Sequence, residues 1–277
     1  MNFLSLKNPN FWNISLKYSI YFFGLIASLF TIIGVSFFNI FPNTTWFIRL
    51  KYLFLFFAGL MIAISFIRII SIQFGIKFKI NGITVIIKQG DIFKANGKKV
   101  IPLNEYFDTI VDDSKIAKNS LHGFFINNIA DKNKLIHVIN NSDENVTLFK
   151  KYIKNGRPAF PLGRIITYDD YLLLSFTEFN KQNEAHLTKL MYENCLVNMW
   201  KEICRTYANN PVFLPLLGSG ITRIDDWRER TNLDLLKCMI RTLNKSEVDM
   251  KQSITILLKD NAMRNTDIFE LKGVKYI

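Results

Sequence analysis

Two long apolar stretches occupy the first part of the chain. The first, Tyr18–Phe41, holds 24 residues without a charge, and as a helix it would extend about 36 Å at about 1.5 Å per residue. The second, Tyr52–Ile67, continues past Arg68 to about Ile72, and we expect the long Arg68 side chain to reach the lipid headgroups. The hydrocarbon core of a bilayer is about 30 Å thick. The pattern therefore predicts a transmembrane helical hairpin in residues 1–79, with spans of about 18–41 and 50–72.

A cleaved signal peptide and a buried pair of core helices both fit these stretches less well. A signal peptide has an apolar region of about 7–15 residues and a small-residue cleavage site, whereas here the run is longer and a second one follows directly. A buried pair of core helices would show a polar stripe at helical spacing, and apolar residues here occupy every face. Five basic residues flank the outer ends of the spans, and two, Arg49 and Lys51, lie between them. This asymmetry predicts a multi-pass protein of the cell inner membrane with its C-terminal domain in the cytoplasm.

Small residues recur four positions apart within both spans, as Gly24 with Ser28 and Gly59 with Ala63. Such pairs allow helices to approach closely. They permit assembly into a homo-oligomer without requiring it.

After about residue 80 the pattern changes to short apolar runs that alternate with amphipathic stretches. Strands are predicted at Ile80–Lys88, Lys98–Asn104, Val146–Ile153, Arg164–Tyr168, Tyr171–Thr177, Val212–Leu217 and Ile254–Leu258. Helices are predicted in two pieces within Asn119–Asn140, at Glu184–Tyr207, from Asp225 or Asp226 to Leu243, and at Thr266–Leu271. Residues 80–277 are thus predicted to form one α/β domain with a mixed, largely parallel sheet covered by helices.

The longest of these helices, Glu184–Tyr207, shows apolar residues at spacings of three and four. They predict one buried stripe made of Leu187, Leu190, Met191, Val197, Trp200, Cys204 and Tyr207.

Charge is distributed unevenly and excludes some classes of function. The net charge is +12, but seven basic residues precede Ile80 and the first acidic residue is Asp91. The remainder of the chain is close to balance, which is not the composition of a nucleic-acid-binding protein. The three cysteines and three histidines show no metal-ligand spacing. We therefore expect no metal, and we expect the cysteines to be buried in helices.

The strongest local signal for chemistry is the segment VFLPLLGSGITR, residues 212–223. A buried strand runs into Gly218-Ser219-Gly220 and then towards a predicted helix. Glycines let backbone N–H groups turn towards a ligand, and a helix N-terminus favours phosphate. The candidate phosphate-binding residues are Gly218, Ser219, Gly220, Ile221, Thr222 and Arg223. A lone Gly-x-Gly also occurs in ordinary strand-to-helix turns, so this motif alone does not decide the function.

Two further signals follow earlier predicted strands. Gly90-Asp91-Ile92 comes directly after the first, and the segment IPLNEYFDT, residues 101–109, includes the end of the second. Asn104, Asp108 and Thr109 can supply polar contacts, and Tyr106 and Phe107 can supply a stacking face.

Taken in this order, the motifs resemble those of a macro domain. Macro domains carry a Gly-Asp-Ile element after an early strand, an Asn-bearing loop after the next, and a glycine-rich loop after a later buried strand. With SLHG at residues 120–123 and PLLGSGITR at residues 215–223, behind two predicted spans, the chain resembles the membrane-anchored, two-transmembrane macro-domain effectors of bacterial Thoeris anti-phage defence systems.

The resemblance implies a pocket for an ADP-ribose derivative. Asp91 would accept a hydrogen bond from the adenine amino group with the Ile92 backbone beside it, Gly218–Thr222 would hold the diphosphate, and residues 104–109 would line the distal ribose. In this family a partner TIR-domain protein consumes NAD and makes the nucleotide second messenger. The resemblance points to histidine-linked ADP-ribose in the branch with this architecture. It implies no further cofactor.

Three functions remain open at this stage. The first is a ligand-gated effector of the lipid bilayer without catalysis of its own. The second is a membrane-tethered ADP-ribosyl hydrolase, for which Asp108 is the apparent general base. The third is a plain membrane anchor, which leaves the glycine loop unexplained. The Asn-Ala-Ala-Asn loop of ADP-ribose hydrolases is replaced here by Leu103-Asn104-Glu105-Tyr106, which favours binding over hydrolysis.

Overall fold

The computed structural model describes residues 9–34, 39, 44–113, 116–142, 151–179, 184–220, 222–268 and 270–271 of the chain. The helices are α1 (Pro9–Ile32), α2 (Trp46–Phe74), α3 (Leu121–Asn128), α4 (Lys132–Asn140), α5 (Lys189–Thr206), α6 (Asn232–Lys245) and α7 (Asp260–Asn265). The strands are β1 (Ile76–Ile80), β2 (Ile83–Gln89), β3 (Lys98–Asn104), β4 (Tyr152–Lys154), β5 (Arg157–Ala159), β6 (Ile165–Tyr168), β7 (Tyr171–Phe179), β8 (Ala185–Leu187), β9 (Val212–Pro215), β10 (Arg223–Ile224) and β11 (Ile254–Leu258).

The contacts divide the chain into two compact units. A helical unit contains Met1–Gly75 together with Asp260–Asp267, and an α/β unit contains Ile76–Lys259 together with Ile268–Ile277. The division is unexpected at one point, because the segment that carries α7 groups with the N-terminal helices rather than with the sheet.

In the helical unit, α1 and α2 contain two stretches, Phe11–Ile32 and Trp46–Ile72, that are long and apolar enough to cross a membrane. α1 begins well before the predicted Tyr18, while residues 35–38 and 40–43 of the predicted first span and loop lie outside the described part. Most large apolar side chains of both helices are exposed, for example Leu25, Leu29, Phe54 and Ile62. Exposed apolar side chains on every face are typical of helices whose solvent is lipid.

The expected role of Arg68 at the headgroups is wrong. Its side chain is only 3% exposed, because the guanidinium turns inward against α1. Nη1 donates to the backbone oxygen of Phe11 and to Ser15 Oγ at 3.2 Å, and the guanidinium lies 4.6 Å from the centre of the Phe11 ring. A partly desolvated cation gains more from such fixed partners than from an apolar helix face.

The α/β unit is built on a mixed sheet, as predicted. Within the described residues, its nine strands are ordered β1-β2-β11-β9-β3-β7-β8-β10, with β6 also pairing with β7. The five central strands, β2, β11, β9, β3 and β7, are parallel to one another. β4 and β5 form a separate antiparallel pair. The central strand β11 is buried at every position, which explains its continuous apolar sequence.

One strand was missed by the sequence analysis. β1 begins directly after Gly75, the residue that ends α2 with a φ of 77°, and pairs antiparallel with β2 through the turn at Asn81 and Gly82. Both turn residues have positive φ, as a two-residue hairpin requires. β1 was obscured because its exposed Lys77 and Lys79 alternate with apolar residues and resemble membrane-flanking charges.

Several predicted helix boundaries are also wrong. α5 begins at Lys189 after the cap Thr188, because the preceding residues pair as β8. Its buried face agrees with the predicted stripe at Trp200 but not at Leu190, which is 67% exposed. The other fully buried residues include Tyr192, Leu196, Met199 and Ile203. α6 begins at Asn232 rather than near Asp225, and the last helix begins at Asp260 rather than at Thr266. Most of the predicted strand Val146–Ile153 lies outside the described residues.

Candidate functional site

The three loops singled out from the sequence lie at one edge of the sheet. They follow β2, β3 and β9, and carboxyl ends of parallel strands meet at the same edge. β3 and β9 are neighbours, and the chain leaving β9 next enters the sheet at β10, beyond β7 and β8, before it returns through α6 to β11. The loops after β3 and β9 therefore leave adjacent strands at the carboxyl edge, which is where ligands usually bind in open α/β sheets.

The glycine loop after β9 depends on an unusual backbone conformation at Gly218. Its φ is 81°, a value that L side chains rarely adopt. An added Cβ would lie 3.2 Å from Leu235 and 3.3 Å from Tyr192. At Gly220, by contrast, an added Cβ would meet nothing within 4 Å. Gly218 therefore shapes the loop, and Gly220 leaves open space beside it.

The side chain of Arg230 holds this loop in place and was missed by the sequence analysis. Nη2 donates to the carbonyl oxygens of Gly218 at 3.2 Å and of Thr222 at 2.8 Å. Ser219 is exposed, and its hydroxyl donates back to Leu216 O at 2.6 Å. The N–H of Ser219 also donates to Leu216 O, at 3.4 Å, so the backbone N–H groups that the loop could offer a ligand are those of its other residues.

Two residues of the predicted phosphate site are placed differently. Arg223 lies on β10 and pairs with Glu184 at 2.6 Å, so its charge already has a partner. Thr222 is half-buried, and Ile221 lies outside the described residues. No helix follows the loop directly, because α6 starts twelve residues after Gly220 with a capping box of Thr231 and Asp234. The predicted contribution of a helix N-terminus is therefore wrong, and phosphate binding by the backbone N–H groups of the loop stays a prediction.

Asp91 stands at the end of β2 as predicted. Its side chain is exposed, and Oδ1 accepts from the backbone N–H of Phe93 at 3.0 Å, which caps a short 3-10 helix. Ile92 is buried. The geometry leaves the other carboxylate oxygen facing solvent at the carboxyl edge, where an exocyclic amino group could donate to it.

Asn104 organises the loop after β3. The residue is 3% exposed, and its Oδ1 accepts from the backbone N–H groups of Tyr106 and Asp108 at 3.1 and 3.2 Å. Its Nδ2 donates to Asp108 Oδ2 at 3.2 Å. Asn104 thus fixes the shape of the loop, and it would affect a ligand only through that shape.

Phe107 does not supply the predicted stacking face. It is 2% exposed and packs edge-on against Phe160, with ring centres 5.0 Å apart. Its φ of 50° turns the chain so that the ring points into the core. The half-buried ring of Tyr106 is also engaged, because the guanidinium of Arg157 lies 4.3 Å from its centre and Phe179 stacks with it at 6.4 Å between ring centres. Thr109 is half-buried beyond it.

Asp108 is engaged at both carboxylate oxygens. Oδ1 forms an ion pair with Arg157, and Oδ2 accepts from Asn104. The backbone oxygen of Asp108 accepts from His122 Nε2 at 2.8 Å. Burial lowers the pKa of His122 to about 4, so this ring is neutral at pH 7 and acts as a fixed donor.

A buried carboxylate, which the sequence did not reveal, joins the β4–β5 hairpin to the same loop. Glu105 is fully buried and accepts from Lys154 at 2.9 Å, and Lys154 also pairs with Glu178 at 2.5 Å. Burial alone would lower the pKa of Lys154, but the hydrogen bonds to both carboxylates raise it. Burial also raises the pKa of Tyr152 to about 12. Lys154 is therefore charged at neutral pH, and its ion pairs join the hairpin to Glu105 and Glu178.

Within the described ranges, no group of three or more His, Cys, Asp or Glu side chains could hold a metal ion. Cys195 and Cys238 are buried free thiols, and Cys204 is half-buried. Burial raises the pKa of Cys238 to about 12, which makes its thiolate, and hence redox or metal chemistry, unfavourable at neutral pH.

A largely parallel sheet that carries an aspartate loop, an asparagine loop and a glycine loop at one carboxyl edge defines a macro domain. The family model described as "Thoeris protein ThsA, Macro domain" matches residues 85–259, and the chain belongs to this family, whose members are effectors of an antiviral defence system. It is 35% identical over 222 residues to the Thoeris protein ThsA of Bacillus amyloliquefaciens (strain Y2), covering 76% of this chain and 74% of that protein.

Solved structures of a macrodomain from Oceanobacillus iheyensis are also similar. The structure with ADP has a TM-score of 0.46 and 14% identity, and the match covers 72% of this chain and 96% of that one. The structure with MES bound has the same TM-score and identity, with 72% and 97% covered.

Proposed function

We propose that this protein senses an ADP-ribose-derived nucleotide at the carboxyl edge of its macro domain and responds by disrupting the membrane through the α1–α2 hairpin. A TIR-domain partner supplies the messenger, for which histidine-linked ADP-ribose is the leading candidate. The observation that carries the proposal is the meeting of these loops at the carboxyl edge of the parallel strands, with Gly218 in its left-handed conformation after β9 and Asn104 at the end of the adjacent β3.

The charges and donors at this edge suit the parts of such a ligand. The exposed Asp91 carboxylate can accept from the adenine amino group, and the loop from Gly218 to Thr222 can donate backbone N–H groups to a diphosphate. Asp108, Asn104 and Tyr106 lie after the neighbouring strand, at a position suited to the distal ribose.

The contacts of Asp108 support binding rather than hydrolysis. A general base needs an oxygen free to take a proton from water, but both oxygens of Asp108 are already engaged by Arg157 and Asn104. Moving either partner would cost a charge-assisted hydrogen bond.

The hairpin suits an assembly that acts on the inner membrane. α1 and α2 are long enough to span it, and the excess of basic residues at their outer ends favours a cytoplasmic macro domain. Gly24 and Gly59 have nothing within 4 Å of an added Cβ, so their small faces are open to helices from other copies.

Calorimetry on the full-length protein in detergent tests the ligand. ADP-ribose should bind with a measurable heat, whereas Gly220→Val, which blocks the open side of the glycine loop without straining the fold, should bind at least about tenfold more weakly. No binding of ADP-ribose or its amino-acid-linked derivatives at millimolar concentration would refute the sensor.

Liposomes that contain the protein test the response. Ligand should release an entrapped dye, and co-expression with an NAD-consuming TIR-domain protein should arrest growth only when both proteins are intact. Release of free ADP-ribose from an ADP-ribosylated protein substrate at an enzymatic rate would favour the hydrolase instead.

A further inference from the structure

The chain leaves the macro domain once more after its last strand. β11 ends at Leu258, and a single residue, Lys259, precedes α7. Residues Asp260–Asp267 belong by their contacts to the helical unit, and the chain rejoins the α/β unit at Ile268. Within the helical unit, α7 packs against α1. The proposed function uses neither α7 nor this excursion.

Asp267, two residues beyond α7, pairs with the first half of α1. The hydroxyl of Tyr18 donates to Asp267 Oδ1 at 3.3 Å, and Lys17 Nζ lies 3.8 Å from Oδ2. The Asp267 side chain is only 9% exposed. A carboxylate with so little access to water depends on these partners, and removing them leaves a charge that is costly to bury.

Arg68 joins the same cluster from α2. It donates to the backbone of Phe11 and to Ser15 on α1, less than one helical turn before Tyr18. Lys17, Tyr18, Arg68 and Asp267 are here called the helix-end cluster. It connects α1, α2 and the α7 segment at the end of the hairpin where α1 begins and α2 ends.

The strand that leads into α7 is hydrogen-bonded to two of the candidate ligand loops. The N–H of Gly90, beside Asp91, donates to Leu258 O at 3.1 Å, and the N–H of Leu216, at the start of the glycine loop, donates to Leu257 O at 3.2 Å. A shift of either loop therefore acts directly on the last two residues of β11, one residue before α7 begins.

We infer that the α7 segment is a latch, in which Asp267 holds the hairpin in its resting arrangement until ligand at the carboxyl edge displaces the end of β11. The inference rests on the proposed function, which supplies the ligand. It adds the α7 segment as the element that transmits ligand binding to the hairpin. A ligand can shift an equilibrium only by its differential affinity for the two states. β11 joins the loops that contact the ligand to the segment that holds α1. The latched and released states therefore differ in their affinity for the ligand.

The test compares liposomes of full-length variants without any ligand. Asp267→Asn keeps the shape of the side chain but removes its charge, and it should raise spontaneous dye release about tenfold. Tyr18→Phe removes one hydrogen bond from Asp267 and should raise release about threefold. Glu270→Gln makes the same change of charge in an ion pair with Lys237, at 3.0 Å within the α/β unit, and should release dye at the parental rate.

Hydrogen exchange provides a readout that does not depend on leakage. Saturating the parent with ADP-ribose should speed amide exchange in residues 11–18 and 260–266, and Asp267→Asn should show the faster exchange without ligand while binding ADP-ribose normally. If ligand-saturated parent and free Asp267→Asn both exchange like the free parent, the latch is refuted while ligand binding stands. If the parent binds no ligand but Asp267→Asn still leaks and exchanges faster, the proposed sensor and the release by ligand are refuted, and the restraint of the hairpin by Asp267 stands.

Discussion

Arg230 donates a hydrogen bond of 3.2 Å to the carbonyl oxygen of Gly218, the residue whose left-handed backbone forms the glycine loop. The same guanidinium donates to Thr222 O and to Trp227 O at 2.8 and 3.1 Å. One side chain therefore fixes both ends of the loop and the turn that follows it. The order of the loop that faces the ligand depends on a residue that never needs to touch the ligand.

Replacing Arg230 with Gln should weaken ADP-ribose binding about tenfold, because the loop loses charge-assisted hydrogen bonds worth about 1.5–3 kcal/mol each. Calorimetry on the full-length protein measures the effect. Arg228→Gln, an exposed arginine two residues away, is the matched control and should bind like the parent. Equal affinity of the Arg230 and Arg228 variants would show that the loop is held by its backbone alone.

Gly218→Val and Gly220→Val should separate folding from binding. A valine at residue 218 meets Leu235 and Tyr192 at 3.2 and 3.3 Å and requires a φ of 81°, so its melting temperature should fall by several degrees. A valine at residue 220 has open space around it. Gly220→Val should therefore keep the parental melting temperature and lose only ADP-ribose binding. Thermal unfolding measures the melting temperature of each variant, and calorimetry on the same samples measures its affinity for ADP-ribose. A folded, tightly binding Gly220→Val would place the diphosphate elsewhere.

Asn104→Ala should lower the stability of the α/β unit by about 1–3 kcal/mol, because the N–H groups of Tyr106 and Asp108 lose their acceptor. Asn104→Asp keeps the acceptor but places a second carboxylate against Asp108, and it should weaken binding more than it lowers stability. Denaturant unfolding and calorimetry measure the two effects. Asn127→Ala, on the exposed face of α3, should change neither.

Acidic pH should destabilise the macro domain through His122. Its pKa is lowered to about 4 by burial, against about 6.5 in an unfolded chain. The unfolded state therefore binds more protons between these values, and the contribution is complete above pH 6.5 and is lost as pH falls towards 4. Between pH 7.5 and 5 the loss is about 2 kcal/mol. His122→Gln, which keeps a donor for Asp108 O, should reduce this pH dependence of the melting temperature, and the exposed His137→Gln should not.

The sequence alone determined the elements whose patterns are local. Continuous apolar runs identified β9 and β11, and the predicted strand Lys98–Asn104 coincides with β3. The two uncharged stretches identified α1 and α2, since few structures besides a membrane helix lack charge over such lengths. The motifs after three strands were sufficient to predict a macro domain, and the family match confirms it.

Other features depended on contacts between residues far apart in the chain. Arg230 and His122 act on the site through backbone carbonyls, and a bond to a carbonyl leaves no residue-specific pattern in the sequence. The burial of Phe107 follows from its positive φ and from Phe160, 53 residues later. In the sequence, Glu105 and Arg68 are expected to be exposed, because burying a charge is costly. Folding brings them partners from distant parts of the chain, and these partners offset the cost of desolvation. Tertiary structure alone assigned Asp267 to the helices at the other end of the chain.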